Sequence, residues 1–213
     1  TLAGNTGALA YTTGYLDLLG FYDGRFLDDP WQGLKNLKES NEKHPFADLD
    51  PAQIRAAFAE FTSFISDIGI GYTNPEDTNL QAITPAGTIK PTLCVPRTMA
   101  KGVRALHEGA SCTIFGFKGL KGFSARQIGA NLKATWPDIQ AKIIAFPGHE
   151  SGELYAEVAA RSLEVPGTRA LLAELLLKEA GEAAYIGLPA ILGMHNPDSV
   201  LKDLEKLTGL SIF

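Results

Sequence analysis

Cysteine is nearly missing from this chain of 213 residues: Cys94 and Cys112 are the only two, far apart and in no C-x-x-C pair. That excludes a disulfide scaffold, and the two thiols read as reduced, structural side chains of a cytoplasmic protein. Histidine is equally sparse. His44, His107, His149 and His195 form no H-x-x-x-H or Cys/His arrangement, so no metal site is expected. No G-x-S-x-G or other nucleophile signature occurs, and no carboxylate pair stands out, which leaves hydrolytic chemistry unsupported and the catalytic residues unknown. An excess of basic charge is also lacking: Lys and Arg number 19 against 24 Asp and Glu, a formal net charge of −5 without a basic block. Nucleic acid is therefore not an expected partner. No apolar run reaches the roughly 20 residues that a membrane span needs. The longest, Ala170 to Lys178, is broken by Glu174.

What is present is ordinary globular material, 45% apolar and 20% charged, which argues against disorder. Residues 1–108 read as an α+β part. Asp29-Pro30 starts one helix with an apolar stripe of Trp31, Leu34 and Leu37, and Asp50-Pro51 starts another. In the second, Ile54, Phe58, Phe61, Phe64, Ile65 and Ile68 recur at spacings of three and four, which predicts one buried face, and Gly69 is placed as its left-handed cap. Leu80–Thr84 and Thr88–Val95 read as a hairpin turned by Pro85-Ala86-Gly87, followed by a short helix over 98–107.

From 109 to 213 strands alternate with helices. Strands are expected over 113–117, 141–146, 184–188 and 210–213, and helices over 124–136, 152–163, 167–180 and 197–207, with Ser124 and Asn196 as caps. The fold class is α/β: a mainly parallel, Rossmann-like sheet with helices on both faces, beside the smaller α+β part.

Three segments carry candidate chemistry. Thr12, Thr13 and Gly14 interrupt the apolar run Ala8–Leu19, and hydroxyls beside a glycine can press backbone N–H groups against a flat or anionic ligand. A plain turn is the alternative. Thr84, Gly87, Thr88, Lys90 and Thr92 put a cation between hydroxyls, able to hold an anionic substrate or a phosphate. The alternative is the polar, wet face of a hairpin. Gly116, Lys118 and Gly119, with Lys121 and Gly122, follow a strand and precede a helix, where open α/β sheets bind ligands, though their spacing is not that of a P-loop. Pro147-Gly148-His149-Glu150 and Gly187-Leu188-Pro189-Ala190 occupy equivalent places after the next two strands.

The order of these pieces resembles the B subunit of the anaerobic glycerol-3-phosphate dehydrogenase family. A Thr-Thr-Gly turn runs into Leu16-Asp17-Leu18-Leu19, His44-Pro45 follows, and Thr84-Pro85-Ala86-Gly87-Thr88 precedes a βα stretch at Thr113–Leu120. The resemblance spans essentially the whole chain. It implies a flavin-dependent oxidoreductase of glycerol metabolism and anaerobic respiration, oxidising sn-glycerol 3-phosphate to dihydroxyacetone phosphate with electron transfer toward quinone. It also implies FMN or FAD as cofactor, a catalytic A subunit and an iron–sulfur C subunit as partners, and a cytoplasmic location at the inner face of the membrane through those partners. Thr12, Thr13 and Gly14 are then the expected flavin contacts.

The family's Gly-x-Gly-x-x-Gly turn has no counterpart here. Leu2-Ala3-Gly4-Asn5-Thr6-Gly7 holds two glycines and follows no strand. Thr1 opens the chain without a methionine, and Ser211-Ile212-Phe213 reads as a strand just begun. The expectation is an internal fragment of a longer flavoprotein, with no flavin bound and no catalysis by the fragment itself. A reading of a different class is a non-catalytic α/β module that docks subunits or binds a small effector.

Overall fold

Aspartate-proline pairs and glycines punctuate the first elements of the computed structural model, which describes residues 14–213. Asp23-Gly24 has φ of 47° and 74°, the left-handed pair that closes a two-residue hairpin, and joins β1 (Phe21–Tyr22) to β2 (Arg25–Phe26). Helix α1 (Pro30–Ser40) starts where Asp29 accepts the N–H groups of Trp31 and Gln32 at 2.9 Å each, and Pro30 takes the first helical position. Helix α2 (Pro51–Asp67) starts in a capping box between Asp50 and Gln53. It ends at Gly69, φ 92°, where Ile70 N–H reaches back to Ile65 O at 3.0 Å.

The chain divides into two compact units. Residues 14–82 with Lys90–Pro96 belong to the first, and Ile83–Ile89 with Arg97–Phe213 to the second. In the first, Leu18, Trp31, Leu34, Ile54, Leu93 and Cys94 form the core. The stripe of α1 is buried as its spacing predicts. That of α2 is not: only Ile54 is fully buried, while Phe64 and Ile68 are 64% and 61% exposed. At 1.5 Å per residue the helix is about 25 Å long and runs past a core of a few side chains.

Strands β3 (Leu80–Ile83) and β4 (Ile89–Thr92) make the expected hairpin, closed by Thr84 N–H to Thr88 O at 2.9 Å. Its tip belongs to the second unit. There Gly87, φ 75°, lies against helix α4 (Ala125–Leu132), and Asn131 Nδ2 donates to Ala86 O at 2.8 Å.

The remaining elements of the second unit are α3 (Arg97–Glu108), β5 (Cys112–Phe117), β6 (Ile139–Ile144), α5 (Ala156–Leu163), α6 (Pro166–Ala180), β7 (Tyr185–Gly187), α7 (Pro197–Thr208) and β8 (Ser211–Ile212). The sheet is wholly parallel in the order β6-β5-β7-β8, as expected for an α/β fold. Alternation along β5 decides the layers. Cys112 and Ile114 pack with Ala105 of α3 and Ile128 and Leu132 of α4. Phe115 and Phe117 pack with Leu163 of α5, Leu172 and Leu176 of α6 and Leu204 of α7.

Several details differ from the sequence reading, β6 among them at Ile139–Ile144 in place of 141–146 and β4 ending at Thr92 in place of Val95. Helix α4 stops at Leu132, because Trp136 turns inward, fully buried, and donates Nε1–H to Ala110 O at 2.7 Å ahead of Pro137. Helix α5 begins at Ala156 and not near Gly152, because Leu154 is engaged in a parallel bridge with Leu120. Asn196 holds the cap position of α7, but its side chain makes no capping bond. Phe213 is seated where α3 and β7 lack side chains: a Cβ at Gly102 or Gly187 would stand 2.4 or 3.0 Å from its ring.

Gly87→Ala is expected to destabilise the second unit by roughly 2–4 kcal/mol, through a strained φ together with overpacking. A Cβ there would lie 2.7 Å from Ile128 Cα, an atom that cannot swing aside. Urea unfolding followed by Trp136 fluorescence reads the shift in midpoint, and an unchanged midpoint would refute this packing role.

Candidate functional site

Two of the segments singled out by sequence meet in the first unit. Gly14 has φ 78°, and its carbonyl accepts the Tyr72 hydroxyl at 2.6 Å. Two residues on, Leu16 forms an antiparallel bridge with Cys94: Leu16 N–H reaches Cys94 O at 3.0 Å and Cys94 N–H reaches Leu16 O at 3.1 Å. The Thr92 hydroxyl also donates to Leu16 O, at 3.1 Å. Asp17 then pairs with Lys90 at 2.5 Å, both side chains partly exposed. The lysine that sequence offered for an anion is thus matched to a carboxylate of the neighbouring segment. Thr12 and Thr13 lie outside the described residues.

The polar groups around Gly14 are held neutral. Burial pushes the Cys94 thiol up to about 11 and the Tyr15 phenol up to about 12. The Tyr72 phenol is raised by burial first and by the neighbouring thiol second. A Cβ on Gly14 would find Pro96 Cγ and the Tyr72 hydroxyl oxygen no closer than 3.7 Å. The described side of Gly14 is thus within van der Waals reach of a proline ring and an un-ionised hydroxyl.

The other candidates serve packing and turns. Thr88 is exposed and bonds its hydroxyl to that of Thr84 at 2.7 Å. Gly116 is buried within β5, where a Cβ would stand 2.8 Å from Ile143 Cδ1 and 3.2 Å from Ala125 Cβ. Lys118 is exposed and its N–H extends the ladder to Ile144 O at 2.9 Å.

Gly119, φ 76°, gives its carbonyl to Leu154 N–H at 3.0 Å, and Lys121 N–H gives to Leu154 O at 3.0 Å. Lys121 Nζ pairs with Glu153 at 2.8 Å. The N-terminus of α4 is capped by its own Ser124 hydroxyl, which accepts Gln127 N–H at 3.2 Å. This first βα turn, latched to 152–154 and internally capped, does not fit a flavin phosphate. After β6, His149 folds back on Phe146 through N–H to O at 2.8 Å. After β7, Leu188 N–H bonds Phe213 O at 2.8 Å.

Tyr72, Asp17 and Cys94 were missed by sequence reasoning. The only signal that could have found Asp17 is its place as the lone charge in Leu16-Asp17-Leu18-Leu19. Among the described residues no group of His, Cys, Asp or Glu is arranged to hold a metal ion, and no helix is long and apolar enough to cross a membrane.

The chain is 25% identical to the B subunit of the anaerobic glycerol-3-phosphate dehydrogenase of Actinobacillus pleuropneumoniae, over 97% of its own length and 50% of the relative's. The relatives it matches include proteins named as B subunits of this dehydrogenase. That of Pectobacterium atrosepticum is 26% identical over 91% of this chain and 48% of its own. A probable B subunit of the same enzyme from Halobacterium salinarum is 27% identical over 96% and 49%. The chain therefore spans about half the length of the curated relatives it matches. Their name is that of one component of a multi-subunit oxidoreductase of glycerol metabolism. No protein-family model and no solved structure matches the chain.

The Cys94 thiol near Tyr72 sets a test by pH. Below pH 9 folded and unfolded chains both keep the Cys94 proton. Between about 9 and about 11 the unfolded thiol loses it while the folded one does not, so stability falls with rising pH across that window. Cys94→Ala is expected to flatten the part of the slope that begins near pH 9. Urea midpoints at pH 8, 9.5 and 11 for both proteins measure it, and identical slopes would contradict the burial argument.

Proposed function

We propose that this chain is a segment of a flavin-dependent dehydrogenase subunit that acts in the oxidation of sn-glycerol 3-phosphate to dihydroxyacetone phosphate, with electrons passed toward quinone. The carrying observation is the likeness to named B subunits along 97% of the chain. A bound FMN or FAD supplies the redox chemistry of that oxidation. The residues assigned to hold its ring system are Thr12, Thr13 and Gly14, and the Tyr15, Tyr72 and Cys94 side chains of the same unit are kept neutral by burial. Among the described residues the first βα turn offers no cradle for the phosphate end, so that end is assigned to the rest of the full-length protein. The partners assigned are a catalytic A subunit and an iron–sulfur C subunit, which would bring the protein to the inner face of the cytoplasmic membrane.

A second reading, a non-catalytic module that docks other subunits, draws support from the second unit. Val158 of α5, Val165 between the helices, and Leu171 and Leu177 of α6 are each 42% to 55% exposed. Apolar surface of this kind is common at subunit contacts.

Absorbance and fluorescence spectra of the full-length protein, beside this chain alone and after addition of FMN or FAD, test the first reading. A yellow full-length protein and a colourless chain are expected, with flavin lost from a full-length Gly14→Val variant, since valine cannot adopt φ 78° without strain. A full-length protein that takes up no flavin would overturn the dehydrogenase reading and leave the docking module.

A further inference from the structure

We propose that the apolar face of α2, left uncovered among the described residues, seats the part of the full-length protein that lies beyond these 213 residues. This rests on the reading above of a segment of a longer subunit, and not on its flavin. Helical geometry puts Ile54, Phe58, Phe61, Phe64, Ile65 and Ile68 on one arc about 120° wide. The charged residues of the helix, Arg55, Glu60 and Asp67, lie outside that arc. A face of this width and purity is one that meets a core.

Here the cover fades along the helix. Ile54 is 9% exposed, Phe58, Phe61 and Ile65 are half-buried, and Phe64 and Ile68 stand 64% and 61% exposed. Ile70, just past the glycine cap, and Leu49, just before the helix, are also exposed. At the buried end the face opens into a groove of about 280 Å³ walled by Leu18, Phe46, Leu49, Ile54 and Phe58.

Three observations choose the occupant. The curated relatives have only 48% to 50% of their length covered by this chain, so a subunit of their size carries as much polypeptide again. The face is apolar throughout, the composition of permanent packing and not of a contact that forms and parts. The first unit also needs the cover itself, since the cluster at its core joins only six fully buried side chains among the described residues. Polypeptide of the same chain reaches such a face without the entropy cost of bringing a separate molecule to it.

The test uses the full-length protein with Phe64→p-benzoylphenylalanine, a photo-cross-linker placed at an exposed aromatic position. Protein grown on heavy nitrogen is mixed with light protein before irradiation, and cross-linked peptides are mapped by mass spectrometry. The expected product joins position 64 to a peptide outside these 213 residues, both halves carrying one isotope. A peptide from within the 213, a heavy–light pair, a peptide of another protein, or no cross-link would overturn the proposal. Ile68→p-benzoylphenylalanine gives the same readout from the next turn if the first variant does not fold. Hydroxyl-radical footprinting of the wild-type protein needs no substitution. Phe64 and Ile68 are expected to react at least about fivefold more slowly than in urea, as the fully buried Phe115 does, and a smaller factor would overturn the proposal. Flavin spectra of the same protein decide the dehydrogenase reading separately, because a colourless protein with the expected cross-link leaves this packing in place. A full-length protein no longer than this chain would overturn the packing and the segment reading together.

Discussion

Six consecutive residues of β5, Cys112 to Phe117, are removed from water, and their amides and carbonyls have to find partners inside the protein. They do so on both sides, pairing in parallel with β6 from Cys112↔Ile139 to Phe117↔Ile144 and with β7 from Cys112↔Tyr185 to Ile114↔Gly187. The layers of the second unit follow from that commitment. A strand buried on both faces needs apolar cover above and below, which α3 and α4 give on one side and α5, α6 and α7 on the other. Small residues then appear wherever cover and strand come closest. Gly116 faces Ala125, and Gly129 faces Ala141, each where a methyl group would stand about 3.1 or 3.2 Å from its neighbour.

The first unit is built on a weaker scheme. Its strands are two to four residues long, and its antiparallel bridges at Leu16–Cys94 and Tyr72–Pro96 are single. Side chains supply what short ladders cannot. Asn79 Nδ2 donates to both Leu19 O and Leu27 O, at 2.9 and 2.8 Å. Arg55 stacks 3.7 Å above the Trp31 ring while pairing with Asp77 at 2.7 Å. A scaffold held by such cross-links can place a turn such as Gly14 without burying it in a sheet, at the cost of depending on individual hydroxyls and amides.

Legibility in the sequence followed the range of the interactions. Helix starts at Asp29-Pro30 and Asp50-Pro51, the cap at Ser124, the hairpin at Pro85-Ala86-Gly87 and the βα alternation after Ser111 are set by neighbours within a few residues, and each is where the residues placed it. The Asp23-Gly24 hairpin had the same kind of signal and went unread. What the pattern could not give depends on distant partners. The stripe of α2 has a sound period, yet whether Phe64 is covered is decided by how far the core extends. Lys90 reads as an anion ligand until Asp17 stands beside it. Gly116 reads as a ligand-approach glycine until Ile143 and Ala125 stand against it. The Tyr72 bond to Gly14 spans 58 residues and leaves no local trace.

The latch between 119–121 and Leu154 bears on how the mouth of the sheet moves. Two main-chain hydrogen bonds and the Lys121–Glu153 pair tie the loop after β5 to the lead-in of α5. Opening that mouth would release both bonds and expose Leu154, which is fully buried. The amide protons of Leu154 and Lys121 should therefore exchange with solvent slowly and together, as one cooperative unit with the sheet rather than as a surface loop. A surface so stiffened has its ordering entropy already settled, and whatever approaches these strand ends meets a finished shape instead of moulding one.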